Sequence, residues 1–121
     1  MSDFRKLLVW QKAMDLVAGI YKASEKFPSH EKFGLTVQMR RAAVSIPSNI
    51  AEGCERGSAK NFANFLIIAR SSAGELETQI LIAFMLKYIQ RTRADELIKK
   101  VIEIRKMIIV LRKRILVTVN S

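Results

Sequence analysis

Lys99, Lys106 and Lys113 recur every seven residues near the end of a 121-residue chain. Seven residues are close to two helical turns, so on a helix the three ammonium groups line one side. Arg105, Arg112 and Arg114 stand beside them. A file of cations with this spacing can neutralise successive phosphates, giving affinity for a nucleic acid without choice of sequence. Arg40, Arg56 and Lys60 are further candidates for the same surface. The segment 92–121 holds eight Lys and Arg against three acids, an excess of five that makes half of the chain's net +10. No aromatic residue interleaves with these cations, so stacking on unpaired bases has little support. Structured RNA or a duplex gripped by its backbone fits better. The other reading of the ribbon is a solvated face, the usual fate of helix charges.

Other chemistry is sparse. His30 is the one histidine and has no neighbour at metal-ligand spacing. Glu52, Glu75 and Glu77 resemble the carboxylates of a bundle metal site, but that site type needs Glu-x-x-His pairs, and the chain has none. HExxH, CxxC, P-loop and dinucleotide-glycine patterns are all missing. Cys54 is the one cysteine, far in sequence from His30, and reads as a buried structural thiol rather than a nucleophile. The expectation is a protein with no catalytic residues, metal or cofactor, and not an enzyme.

Polar residues also cluster in the stretch RRAAVSIPSNIAEG, residues 40–53. Arg41, Ser45, Asn49 and Glu52 follow one another at steps of three and four, which makes a stripe along one flank of a helix. Glu75 and Glu77 from a facing helix would complete a partly buried network, holding two helices in register if every member is satisfied. Pro47 interrupts the stretch. It removes one N–H and leaves the carbonyl of Ala43 without its donor, at a cost of about 3 kcal/mol in isolation. The apolar period nevertheless runs through Pro47 without a phase change. The segment therefore reads as a helix kinked near Pro47, with a hydroxyl of Ser45 or Ser48, or a water, serving the freed backbone.

Four periodic segments must position these residues, at about 8–26, 31–56, 59–89 and 93–118. The first carries Trp10, Ala13, Val17, Ile20 and Ser24 on one face and stops at Phe27-Pro28. The second opens after Ser29, with Glu31 in its first turn, and keeps Leu35, Met39, Ala42, Ile46 and Ile50 in phase. The third follows Ser58 and holds Gly74, a site for close helix approach. The fourth starts near Thr92 and Asp95, close to a capping box, and carries Leu97, Val101, Ile104, Ile108, Leu111 and Ile115. Short links between long helices make antiparallel neighbours. The expected fold is all-α, a single up-down-up-down antiparallel four-helix bundle over residues 1–121.

Val37, Val44 and Ala51 lie seven apart on the side of the second helix away from the core. Such a strip reads as a subunit interface or as tolerated small apolar residues. Composition agrees with helices: 50% of residues are apolar, only 7% aromatic, with five Gly and two Pro. The N-terminus lacks a signal-peptide pattern, and the longest apolar run, residues 80–86, is too short to span a bilayer. A cytoplasmic protein without a membrane is expected.

Three stretches carry a resemblance: DFRKLLVWQKAMDL at 3–16, FPSHEKFGLTVQMRRAAVSIPSNIAEGCERGS at 27–58 and NFLIIARSSAGELETQI at 64–80. They resemble the four-helix-bundle family of 23S ribosomal-RNA intervening-sequence proteins, small bacterial proteins, some encoded in insertions within large-subunit rRNA genes. The likeness covers about residues 3–90, and the last helix matches in general character only. It implies a cytoplasmic bundle assembled as a homopentamer, and a relation to the accessory variability determinants of diversity-generating retroelements, basic pentamers that work with a reverse transcriptase and nucleic acid. No catalytic residues come with it. Two functions follow as expectations: a nucleic-acid-binding bundle using the basic ribbon, or an oligomeric scaffold for an acidic partner protein.

Overall fold

The computed structural model describes residues 3–120, with side chains through Val117. Among the described residues there are four α-helices and two short 3-10 turns, and no strand. The helices are α1 (Leu8–Ser24), α2 (Leu35–Glu55), α3 (Ala59–Met85) and α4 (Arg91–Asn120). Each packs on its successor and α4 closes onto α1, while the diagonal pairs α1/α3 and α2/α4 stay apart. Cross-helix bonds give the directions. Lys12 meets Glu103 while Asp15 meets Lys100, so α1 and α4 run antiparallel. Arg105 meets Glu77 while Arg112 reaches Ala63, so α3 and α4 do too. This is the expected up-down-up-down bundle.

The core rows follow the 3.6-residue period. Met39, Ala42, Ile46 and Ile50 of α2 are buried against Leu66, Ala69, Ala73, Leu76 and Ile80 of α3, with Leu97, Val101, Ile104 and Ile108 of α4. Each fully buried Leu or Ile contributes about 1.5–3 kcal/mol. Only α1 is rotated from expectation. Its buried row is Val9, Ala13, Leu16, Ile20 and Ser24, with Trp10 and Val17 half-buried. The reason is that α1 touches two neighbours, and the α4 side takes Val9 and Leu16 inward.

Several element ends differ from expectation. Helix α2 does not begin after Ser29: residues Ser29–Glu31 form a separate 3-10 turn, and the helix starts at Leu35. Glu31 supplies the cap, its Oε1 accepting from the Leu35 N–H at 3.1 Å. Helix α3 stops at Met85, not near 89, because Lys87 takes the left-handed conformation at φ 65°. The Tyr88 N–H then donates to Ala83 O at 2.8 Å and the Lys87 N–H to Phe84 O at 2.9 Å, the paired bonds of a Schellman stop. Ser58 does cap α3, its Oγ accepting from the Asn61 N–H at 3.3 Å. Thr92 lies inside α4, which begins one residue before it.

Helix α2 runs unbroken through Pro47, which is buried. Of the groups expected to serve the freed backbone (Ser45, Ser48 or a water), Ser45 instead faces α3, where its hydroxyl shares a 2.8 Å hydrogen bond with Ser72 Oγ. The close helix approach also lies elsewhere. A Cβ on Gly74 would meet nothing within 4 Å, whereas a Cβ on Gly53 would fall 2.7 Å from Phe65 Cβ and 3.3 Å from Phe62 Cα. The end of α2 thus rests on the start of α3 with no room for a side chain.

Candidate nucleic-acid interface

Two of the six candidate cations on α4 are consumed by the bundle itself. Arg105 donates from Nη1 to Glu77 Oε1 at 2.7 Å, both side chains being mostly covered. Arg112 donates from Nε to the Ala63 carbonyl at 3.1 Å. Both point toward α3 and act as clamps between α3 and α4. Lys100 is likewise engaged, 3.1 Å from Asp15 on α1. Lys99, Lys106 and Lys113 are exposed, and no ion pair within 4 Å holds any of them among the described residues. Their spacing puts them along the outermost ridge of α4, about 10 Å apart. Arg114 is exposed on the α1 side of that ridge.

Glu103 does not interrupt the ridge as an unopposed anion. Lys12 of α1 lies 2.7 Å from it, and that hydrogen bond, with the attraction of the same ammonium, holds the Glu103 carboxyl below the usual carboxylate range. The α1/α4 seam therefore pairs Lys12 with Glu103 and Lys100 with Asp15, leaving the ridge positive.

The α2 cations do not extend this surface, because α2 sits diagonally across the bundle from α4. Arg40 is bound to the end of α1: its Nε donates to Ser24 Oγ at 2.9 Å, and its guanidinium lies 4.5 Å above the Tyr21 ring. Arg56 pairs with Glu52 at 3.0 Å and lies over Phe65. Lys60 is different. It is exposed in the first turn of α3, one turn before the carbonyl that Arg112 grips, so it shares the α3/α4 end with Lys113.

The polar network is narrower than the sequence stripe. Its members are Ser72, Ser45 and Asn49, with Asn49 Nδ2 donating to Ser45 O at 2.8 Å and to Ser45 Oγ at 2.9 Å. Arg41 and Glu75 are exposed, Glu52 turns to Arg56, and Glu77 turns to Arg105. The reason is reach: each long charged side chain finds a partner or solvent on its own side, and only the short ones remain in the α2/α3 seam. Val44 is 39% exposed, with Val37 and Ala51 half-buried. They do not face straight out. They form the floor of a groove against α1, with Tyr21 at one end and Met14, Val17 and Trp10 at the other.

Among the described residues no cluster of His, Cys, Asp or Glu is arranged to hold a metal, and no helix is long and apolar enough to cross a membrane. Burial pushes the Cys54 thiol up, opposite to what a nucleophile needs. His30 is exposed, its Nε2 3.2 Å from the Tyr88 hydroxyl.

The model of the 23S rRNA-intervening sequence protein family matches residues 5–110. The chain belongs to that family. A crystal structure of a protein with unknown function, from the S23 ribosomal protein family of Bacteroides thetaiotaomicron VPI-5482, is similar in fold: TM-score 0.81, 27% identity, covering 88% of this chain and 96% of that one. No curated protein matches the sequence. The family match reaches well into α4, beyond the span legible as a resemblance, and takes in Lys99, Arg105 and Lys106. Arg112, Lys113 and Arg114 lie past it. The two clamps thus divide, Arg105 within the family match and Arg112 outside it.

Proposed function

We propose that this bundle is a non-catalytic binding protein whose α4 ridge grips structured RNA through its phosphates. The observation that carries the reading is the division of labour along α4. Arg105 and Arg112 are spent on α3, while Lys99, Lys106 and Lys113 project from one side unpaired. Lysine suits that role as a point charge on a flexible stem, and backbone contacts need no fixed fork. The net +10 adds long-range attraction for any polyanion. The family's name supports RNA over DNA.

The chain acts as an oligomer in this reading, a homopentamer by its sequence resemblance, in the bacterial cytoplasm. The groove over Val37, Val44 and Ala51 supplies the apolar contact, and replication of the α4 ridge around a ring multiplies the phosphate contacts. Titration of a structured RNA across a salt series tests the binding. The expected result is a steep linear fall of log K with log salt. Absence of binding at low salt, or a flat response, would sink the reading. Light scattering tests the assembly: a 13.8 kDa species would remove the interface.

A further inference from the structure

The α1/α4 seam ends before α4 does. Its pairs, Lys12 with Glu103 and Asp15 with Lys100, set a register that puts Leu8, the first residue of α1, beside Met107. Helix α4 continues to Asn120, a further thirteen residues or about 20 Å with no α1 beside it. The turn that precedes α1, Phe4–Lys6, packs on α1 and α2 and leaves α4 uncovered. A groove of about 420 Å³ results, floored by Leu7, Val9, Met107 and Leu111. Val110 on its wall is 47% exposed, and Leu8 is 56% exposed. Lys106 and Arg114 line it too.

Apolar positions 107, 110, 111 and 117 fall on one side of α4 at helical spacing, the pattern by which one helix receives another. The charge around the groove decides what kind of helix. Lys106 stands at its edge without an ion pair, and Lys113 is on the same ridge. Self-association in the proposed reading uses the other groove, over Val37, Val44 and Ala51, which leaves this one to a different chain. A basic partner would set like charges against Lys106. An acidic helix would meet that lysine with opposite sign.

We infer that the groove between the start of α1 and the last turns of α4 is a docking site for an acidic amphipathic helix of a partner protein. The partner's apolar side lies on Leu7, Met107 and Leu111, and its carboxylates meet Lys106. The apolar floor belongs to this site alone, whereas Lys106 belongs also to the ridge of the RNA reading, so RNA and the acidic helix should compete there.

The test uses the full chain and a fluorescent synthetic helix of about five turns, with Leu at helical spacing and Glu elsewhere. Anisotropy should show saturable binding. Val110→Asp should weaken it about tenfold or more, whereas Leu81→Asp, at an exposed position on α3, should leave it unchanged. A peptide with Lys in place of Glu should fail to bind. Circular dichroism verifies that both variants stay folded, and Val110→Ser, which brings no charge beside Lys106 and Lys113, should weaken the peptide while leaving RNA affinity unchanged. Equal binding of acidic and basic peptides, indifference to Val110→Asp, or a loss of self-association in that variant with no loss of peptide binding would each overturn the assignment.

Discussion

Tyr88 donates its phenolic hydrogen to Oε2 of Glu31 at 2.8 Å, joining the α1–α2 connection to the α3–α4 turn across the end of the bundle. The other carboxylate oxygen of Glu31 caps α2 through the Leu35 N–H. One side chain therefore starts a helix and ties two loops. The Leu35 N–H, then the Tyr88 hydroxyl, hold the Glu31 carboxyl below its ordinary value of 4.5, and the same bond raises the Tyr88 phenol above 10.0.

The sign of the pH dependence follows. A carboxyl depressed in the folded state stabilises above its unfolded value and loses that contribution as pH falls through the folded one. The phenol is raised, so its contribution is present below its unfolded value and lost as pH rises through the folded one. Melting temperature measured against pH should therefore fall below about pH 4.5, and Glu31→Gln should flatten that acid limb. Tyr88→Phe should lower stability at neutral pH and remove the Tyr88 part of the alkaline fall. An acid limb in Glu31→Gln identical to the parent's would contradict the staple.

Gly53 and Gly74 make opposite predictions for the same substitution. At Gly53 the new methyl would strike Phe65 Cβ and the Phe62 backbone, so Gly53→Ala should destabilise by about 1–3 kcal/mol. At Gly74 the methyl meets open space inside a helix, and Gly74→Ala should stabilise by about 1 kcal/mol. Urea denaturation at one fixed protein concentration checks both, which keeps the comparison independent of any self-association.

That pair also shows what sequence periodicity can carry. The rows Leu35-Met39-Ala42-Ile46-Ile50 and Leu97-Val101-Ile104-Ile108 were legible because burial is periodic and the period is local. The choice between Gly53 and Gly74 depends on where α2 crosses α3, and crossing is not local. The cap at Glu31 was hidden likewise, because a carboxylate reaching four residues forward competes with Ser29 in ways composition does not rank. In the ridge, Lys99, Lys106 and Lys113 followed from spacing alone. That Arg105 and Arg112 turn inward required Glu77 and the Ala63 carbonyl, which lie 28 and 49 residues away.

Lys87 holds the left-handed conformation that glycine adopts without steric cost. Lys87→Gly should relieve part of the roughly 1–2 kcal/mol that a non-glycine residue incurs there, offset by the freer unfolded chain. A rise in melting temperature is expected, with the Tyr88–Ala83 stop preserved. Gly57, at φ 73°, gives the mirror experiment. Gly57→Ala should lower stability by about 1 kcal/mol even though no atom lies within 4 Å of the added methyl, because the conformation and not the space is limiting.

The α4 cations should separate into two classes under mutation. Arg105→Gln breaks a mostly covered ion pair and should lower stability by about 1 kcal/mol. The double variant with Glu77→Gln should recover part of that loss, since the pair is coupled. RNA affinity should hardly move in either. Lys99→Gln, Lys106→Gln and Lys113→Gln should do the reverse: melting temperature stays within error, while each removes about one unit from the slope of log K against log salt. The weakening should be alike for every RNA sequence tried, because a phosphate contact carries no base information. If Arg105→Gln reduced the salt slope as much as Lys106→Gln, the clamp and ridge division along α4 would be wrong, and the whole helix face would have to be read as one surface.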